Sequence, residues 1–129
     1  MKTDAETIKV KLQKSRKILN EVEILMSNSF YETLVNRLYY ASFHAASAAL
    51  LTKNVKPYTH KGVQQMFGLH FVKTKIVPPE MGRIFSESFF MRQYIDYDDY
   101  ADIGNEKAEE LFKQVTEFVN NLENIILDK

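Results

Sequence analysis

The sequence RLYYASFHAASAALL, residues 37 to 51, places an arginine, two tyrosines and a histidine in a segment that is otherwise apolar and rich in alanine. Its apolar residues recur at intervals of three and four, which predicts a helix. At about 100° per residue, Arg37 and His44 lie roughly 20° apart on one face, with Tyr40 between them. Because the helix is apolar on most other sides, we expect it to be buried in a bundle or a subunit interface. Its polar face must then be paired internally or open onto a cleft.

The same intervals of three and four recur along nearly the whole chain, without a repeat, a low-complexity segment or a linker. Capping residues and prolines mark where the predicted helices begin. We therefore predict one all-α domain over residues 1–129, an up-down helical bundle of four or five helices. The predicted helices begin at a Thr3–Glu6 capping box, at a Ser29–Glu32 capping box, after Thr59, at Val77-Pro78-Pro79-Glu80 and at Glu106. The second is expected to end at about Asn54 and the third to run to Thr74.

Composition excludes several classes of protein. Lysines and arginines number 17, as do aspartates and glutamates, so bulk charge does not bind nucleic acid and any polyanion needs a local patch. The chain has no cysteine, which excludes disulfides and thiolate metal sites. Its three histidines lack metal-ligand spacing, so we expect no metal and no cofactor. The absence of a signal-peptide pattern or a membrane-length apolar run predicts a cytoplasmic protein with no membrane partner.

Arg37 and His44 together suit phosphodiester chemistry. A histidine can move a proton near neutral pH, and an arginine can stabilise a developing charged phosphorus centre. The alternatives are structural: Arg37 can form an internal ion pair, for instance with Asp96, and His44 can be a hydrogen-bonded core residue.

Other residues suggest a binding surface. His60 and Lys61 begin the predicted third helix, where free N–H groups attract anions, although we prefer to interpret His60 as a solvent-facing cap residue. Arg92 lies in an acidic and aromatic segment that also contains Tyr97. Tyrosines in such a segment can stack on bases, but at this spacing they more often pack.

Three segments, in this order, resemble the HEPN family in its small stand-alone prokaryotic branch: NRLYYASFHAASAALL (36–51), THKGVQQMFGLHFV (59–72) and MRQYIDYDDY (91–100). The resemblance implies an all-α bundle, usually a homodimer with its functional cleft at or near the dimer interface. Many members are metal-independent RNA endonucleases that use an arginine and a histidine separated by four to six residues. Many act as toxins beside a minimal nucleotidyltransferase or in other defence systems. Six residues separate Arg37 from His44.

The resemblance leaves two functional hypotheses open, beside a third, purely structural one: a homodimeric helical protein with no ligand. In an RNA endonuclease, Arg37 and His44 would be catalytic, and substrate would bind to Tyr40, His60, Lys61, Arg92 and Tyr97. In a non-catalytic module, the domain would bind a nucleotide or another protein. The lack of any histidine after position 70 favours the second hypothesis, because the family's best-attested nucleases carry a later R-N-x-x-x-H-x-Y motif. The exposure of Arg37 and His44 separates the two: catalysis requires both side chains open to solvent.

Overall fold

The computed structural model describes residues 3–128, and within this range all regular structure is helical. Its α-helices are α1 (Asp4–Ser27), α2 (Tyr31–Leu51), α3 (His60–Phe67), α4 (Pro79–Tyr97) and α5 (Asn105–Leu127). A π-helical turn, Gly68–Val72, continues α3. The predicted all-α helical bundle is confirmed. None of the helices in the described range combines the length and hydropathy needed to cross a membrane.

Helix α2 lies at the centre of the bundle and contacts the other four α-helices. Its buried alanines let neighbouring backbones approach closely, because a methyl group occupies little space. The Ser15 hydroxyl of α1 donates a 2.7 Å hydrogen bond to the main-chain carbonyl of Ala41 in α2. The side chains of the following alanines are fully buried: Ala41, Ala45, Ala46, Ala48 and Ala49.

Three predicted helix starts are confirmed. The Thr3 hydroxyl accepts from the Glu6 N–H at 3.1 Å, and the Glu6 carboxylate accepts from the Thr3 N–H at 2.9 Å, completing the capping box. The Thr59 hydroxyl accepts from the Gly62 N–H at 2.9 Å. Pro79 is the first residue of α4, where its missing N–H leaves no hydrogen bond unmade.

The predicted Ser29–Glu32 capping box is wrong. Phe30 is the N-cap of α2 and makes no side-chain capping bond. Ser29 has a φ of 60° and instead helps to end α1. The Phe30 N–H donates to the Leu25 carbonyl at 2.9 Å and the Ser29 N–H to the Met26 carbonyl at 3.2 Å. This pair of bonds is a Schellman motif, which uses a left-handed residue just after a helix.

The predicted ends of the second and third helices are only partly right. Helix α2 ends at Leu51, and a further turn closes at Asn54, whose φ is 59°. The third helix leaves α-geometry at Phe67. The Lys73 N–H then donates to the Gly68 carbonyl at 2.8 Å, five residues earlier. Gly68 is the first residue of this turn, and glycine favours a regular α-helix least among non-proline residues because it has the greatest backbone freedom to lose.

Only residues 28–30 separate α1 from α2. So short a connection makes the two helices antiparallel neighbours. The polar face of α2, which carries Arg37 and His44, consequently lies beside the lysine-rich face of α1.

Candidate functional site

The polar faces of α1 and α2 border an open groove on the surface, here called the α1–α2 groove. It contains two depressions, a central one of about 280 Å³ and a flanking one of about 380 Å³. The lining residues recur at intervals of three and four along α1, and at intervals of seven, three and four along α2, so each helix contributes one row. The α1 row is Asp4, Thr7, Lys11, Lys14, Lys17 and Glu21, and the α2 row is Arg37, His44, Ser47 and Leu51.

Arg37 and His44 both line the central depression, together with Lys14, Lys17 and Glu21. The Arg37 Nη2 lies 3.5 Å from Glu21 Oε2, and the two side chains are 36% and 44% exposed. An ion pair this exposed is weak and easily exchanged for another anion. The alternative pairing of Arg37 with Asp96 is not formed, because α2 turns Arg37 towards α1 rather than α4.

His44 lies in a strongly cationic setting. Partial burial and, after it, the charges of Lys14, Lys11 and Arg37 together lower its pKa from 6.5 to about 4. His44 is therefore neutral at pH 7, with a ring nitrogen free to accept a proton. The same cations create a local positive potential that favours an anionic ligand.

A group of rings in tilted and edge-to-face contact, here called the aromatic cluster, borders His44. It consists of Tyr39, Tyr40, Phe43, His60 and the guanidinium of Arg92. The Phe43 ring centroid lies 5.8 Å from that of His44 and 4.6 Å from that of His60. Arg92 lies over both tyrosines, 5.3 Å and 5.5 Å from their ring centroids. The fold thus brings Tyr40, His60 and Arg92 together, although they come from three different helices.

Tyr39 and His60 are directly bonded. The Tyr39 side chain is fully buried, and its hydroxyl lies 2.5 Å from His60 Nδ1. Burial raises the pKa of Tyr39, while the positive charge of Arg92 partly opposes that rise. Burial and Arg92 also lower the pKa of His60. With Tyr39 protonated and His60 neutral, the hydrogen bond runs either from the hydroxyl to Nδ1 or from an Nδ1–H to the hydroxyl oxygen, according to the tautomer of His60. His60 is half-buried against α2, so the interpretation as a solvent-facing cap residue is wrong.

Arg92 is only partly satisfied. Its Nε lies 3.4 Å from Asp96 Oδ2, but the two groups are not aligned for a hydrogen bond, and within residues 3–128 this buried Nε has no other partner. The side chain is 19% exposed. Its charge is held mainly by the faces of the two tyrosine rings, which attract cations.

The remaining predicted residues lie outside these two features. Lys61 is exposed and follows His60 on α3, and Tyr97 is exposed as the last residue of α4. Neither lines the α1–α2 groove. Over the described part of the chain, no three or more histidine, aspartate or glutamate side chains are grouped to hold a metal ion.

Sequence reasoning missed the lysines of α1. Lys11, Lys14 and Lys17 follow one another at intervals of three, along one edge of the buried stripe of α1. With the short connection to α2, this spacing was the signal that would have placed them beside His44.

The model of the HEPN domain family matches residues 8–125. The chain belongs to the HEPN domain family. This HEPN domain is 35% identical over 118 residues to a Methanocaldococcus jannaschii protein named "Putative toxin MJ0142", covering 92% of this chain and 80% of that one. It is 37% identical over 117 residues to "Putative toxin MJ0605" of the same organism, covering 91% and 87%. A "UPF0332 protein" of Thermotoga maritima is 31% identical over 116 residues, covering 90% and 88%.

Proposed function

We propose that this HEPN domain is a metal-independent RNA endonuclease whose reaction takes place in the central depression of the α1–α2 groove. The observation that carries the proposal is that Arg37 and His44 line one open depression beside Lys14 and Lys17. A purely structural pair would be buried and fully satisfied by internal partners. A partly exposed arginine with a neutral histidine, among cations, suits a phosphodiester better.

The proposed reaction uses the RNA's own 2′-hydroxyl. His44 removes the hydroxyl proton as the 2′-oxygen forms a bond to phosphorus and the bond from phosphorus to the 5′-oxygen breaks. Arg37 stabilises the negative charge of the pentavalent phosphorus, and the departing 5′-oxygen takes a proton from water. The hydroxide that remains takes the proton held by His44, which restores the neutral imidazole. The products are a 2′,3′-cyclic phosphate and a 5′-hydroxyl. A bound phosphate raises the pKa of His44 from its value of about 4 in the free protein, because a nearby anion favours the charged imidazole.

The aromatic cluster has a binding role in this proposal. Tyr40 lies between His44 and His60, with ring-centroid distances of 6.4 Å and 5.9 Å, where it can position a base. Arg92 and His60 hold the substrate at the far side of Tyr40. Lys61 and Tyr97 contact the RNA outside the groove.

We further propose that the domain acts in the cytoplasm as a homodimer and as the toxin of a pair whose other member is a minimal nucleotidyltransferase. The names of the two Methanocaldococcus jannaschii relatives support the toxin role. Exposed apolar side chains support association with another protein: Ile24 is 65% exposed, Phe30 58% and Phe90 65%. Analytical ultracentrifugation tests the homodimer, and a purely monomeric protein at micromolar concentration would contradict it.

The test of the catalytic proposal is cleavage of a mixed RNA pool in EDTA. Arg37→Ala and His44→Ala should each slow cleavage by roughly 100-fold or more, the usual effect of removing an acid–base or charge-stabilising group. Arg16→Ala is the matched control, because Arg16 pairs with Glu123 outside the groove. Circular dichroism checks that each variant folds. A folded His44→Ala protein that cleaves at the wild-type rate would refute the proposal.

The second candidate is a non-catalytic nucleotide-binding or protein-interaction module. The surroundings of Arg92 favour this candidate. One helical turn after Arg92 lies Asp96, whose carboxylate partly neutralises the guanidinium, and no histidine follows that could act with Arg92 as a second catalytic pair. For this candidate, wild-type protein would bind nucleotide or a partner but leave RNA uncut in the same assay.

A further inference from the structure

The flanking depression of the α1–α2 groove combines apolar, aromatic and cationic side chains that suit a second ligand. We propose that it binds the nucleotide adjacent to the cleaved phosphate, with the base against Phe43 and the phosphate on Lys11. This inference rests on the proposed function in one respect: RNA cleavage at His44 is what makes the bound nucleotide the neighbour of a cleaved phosphate. The depression's volume of about 380 Å³ lies in the range of small-molecule sites.

The pocket directly adjoins the proposed reaction centre. Ser47 and Leu51 line it and follow His44 on the same face of α2. At about 1.5 Å per residue, they lie roughly 4.5 Å and 10.5 Å along the helix from His44. Lys11 also belongs to both places, because it lines the pocket and lowers the pKa of His44. A chain bound at His44 therefore continues naturally into this pocket.

The walls of the pocket suit a nucleobase. Phe43 presents a partly exposed ring, and Leu51, Val55 and Pro57 add apolar surface. Aromatic rings bind bases by stacking with little preference for sequence, since every base has a π-face. The hydroxyl of Ser47 lies at the same wall and can bond to a base edge. The combination of an aromatic face, an apolar wall and the hydroxyls of Thr7 and Ser47 is typical of a heterocycle site rather than of a simple anion site.

The charges of the pocket suit a phosphate. Lys56 has a carboxylate partner, Asp4, at 3.5 Å. Burial and, after it, the charge of Lys14 lower the pKa of Lys11. Among residues 3–128, Lys11 forms no ion pair within 4.0 Å. A partly buried cation beside other cations gains more from an incoming anion than an exposed lysine does.

Adenosine 3′-monophosphate is the probe that tests the pocket, with binding followed by NMR chemical shifts. Shifts should concentrate in residues 4–11 and 43–57. Lys11→Ala should weaken binding about tenfold, as expected for the loss of one charge-assisted contact. Ser47→Phe should fill the pocket and abolish binding there. Lys9→Ala is the matched control, because Lys9 is an exposed lysine of α1 that lines a different surface, and it should change Kd less than twofold.

Two comparison ligands identify what the site recognises. Adenosine and inorganic phosphate should each bind at least tenfold more weakly than the nucleotide. Inorganic phosphate binding as tightly as the nucleotide would overturn the inference, because the base would then contribute nothing.

The test separates this inference from the nuclease proposal. Binding needs no cleavage, so nucleotide bound in the pocket of a protein that leaves RNA intact would support the pocket and remove the nuclease. Conversely, unchanged Kd in folded Lys11→Ala and Ser47→Phe proteins would overturn the pocket even if the wild type cleaves RNA.

Discussion

Replacing Lys14 by glutamine should raise the pKa of His44. The wild-type pKa is lowered from 6.5 to about 4, first by burial and then by Lys14, Lys11 and Arg37. A cation at a partly solvated surface contributes roughly 0.5–1 kcal/mol, and 1.36 kcal/mol is about one pKa unit. Lys14→Gln should therefore raise the pKa by roughly half a unit. The pKa of His44 should still lie well below 6.5 in this variant, because the substitution leaves His44 partly buried and burial is the largest cause of the lowered pKa.

The assay is an NMR titration of the His44 ring between pH 3 and 8. Lys9→Gln removes a charge of the same kind from another face of α1 and should leave the titration unchanged. In about 1 M salt the Debye length falls to about 3 Å, so the cations are screened while the effect of burial remains. The wild-type pKa should then rise but stay below 6.5. A wild-type pKa near 6.5, or equal shifts for Lys14→Gln and Lys9→Gln, would refute this account of the site.

The same shift makes the stability of the fold depend on pH. Between pH 6.5 and about 4, the unfolded chain binds a proton on His44 that the folded chain does not. The contribution of His44 to stability is therefore fully present above pH 6.5 and is lost as the pH falls towards 4. In urea unfolding, His44→Gln should lose less stability than the wild type between pH 7 and pH 4.5. An identical loss in both proteins would contradict the lowered pKa.

Two further predictions concern the packing around the site. Tyr39→Phe removes the bond to His60 and should cost about 1 kcal/mol, or roughly 3–6 °C in Tm. It should also change the tautomer balance of His60 in ¹⁵N NMR, and an unchanged spectrum would show that the hydroxyl does not fix the ring. Ala45→Leu overfills the fully buried centre of α2 and should cost about 1–3 kcal/mol. Ala5→Leu, at an exposed position of α1, should stay within about 0.5 kcal/mol in denaturant unfolding, and equal costs would argue against close packing.

Local signals in the sequence predicted the helices because their causes are local. The threonines at positions 3 and 59 cap helices through their own hydroxyls, and Pro79 starts α4 through its own ring. The prediction for Ser29 was wrong because it also used only a local signal. Serine is a common N-cap residue, but Ser29 lies two residues after Ser27, the last residue of α1, and takes part in ending that helix. Which of two helices takes a residue between them depends on main-chain bonds that residue types do not reveal.

The site was predictable only in part. The positions of Arg37, Tyr40 and His44 on one helical face follow from helix geometry alone. Their partners do not, because these depend on which helix packs against that face. Glu21 pairs with Arg37 across the α1–α2 hairpin, and the bond from Tyr39 to His60 spans 21 residues of chain. No periodicity within one helix encodes contacts of that kind.

The short connection between α1 and α2 has a consequence for the order of folding. Every residue of the α1–α2 groove belongs to one helical hairpin and the loop that follows it, within residues 4–57. Contacts so close in sequence close small loops and form early, at a low cost in chain entropy. The groove can therefore take shape while α4 and α5 are still undocked, and the later helices complete the fold by covering the opposite side of α2. The aromatic cluster, by contrast, needs His60 and Arg92 and so forms only when α3 and α4 have docked on α2.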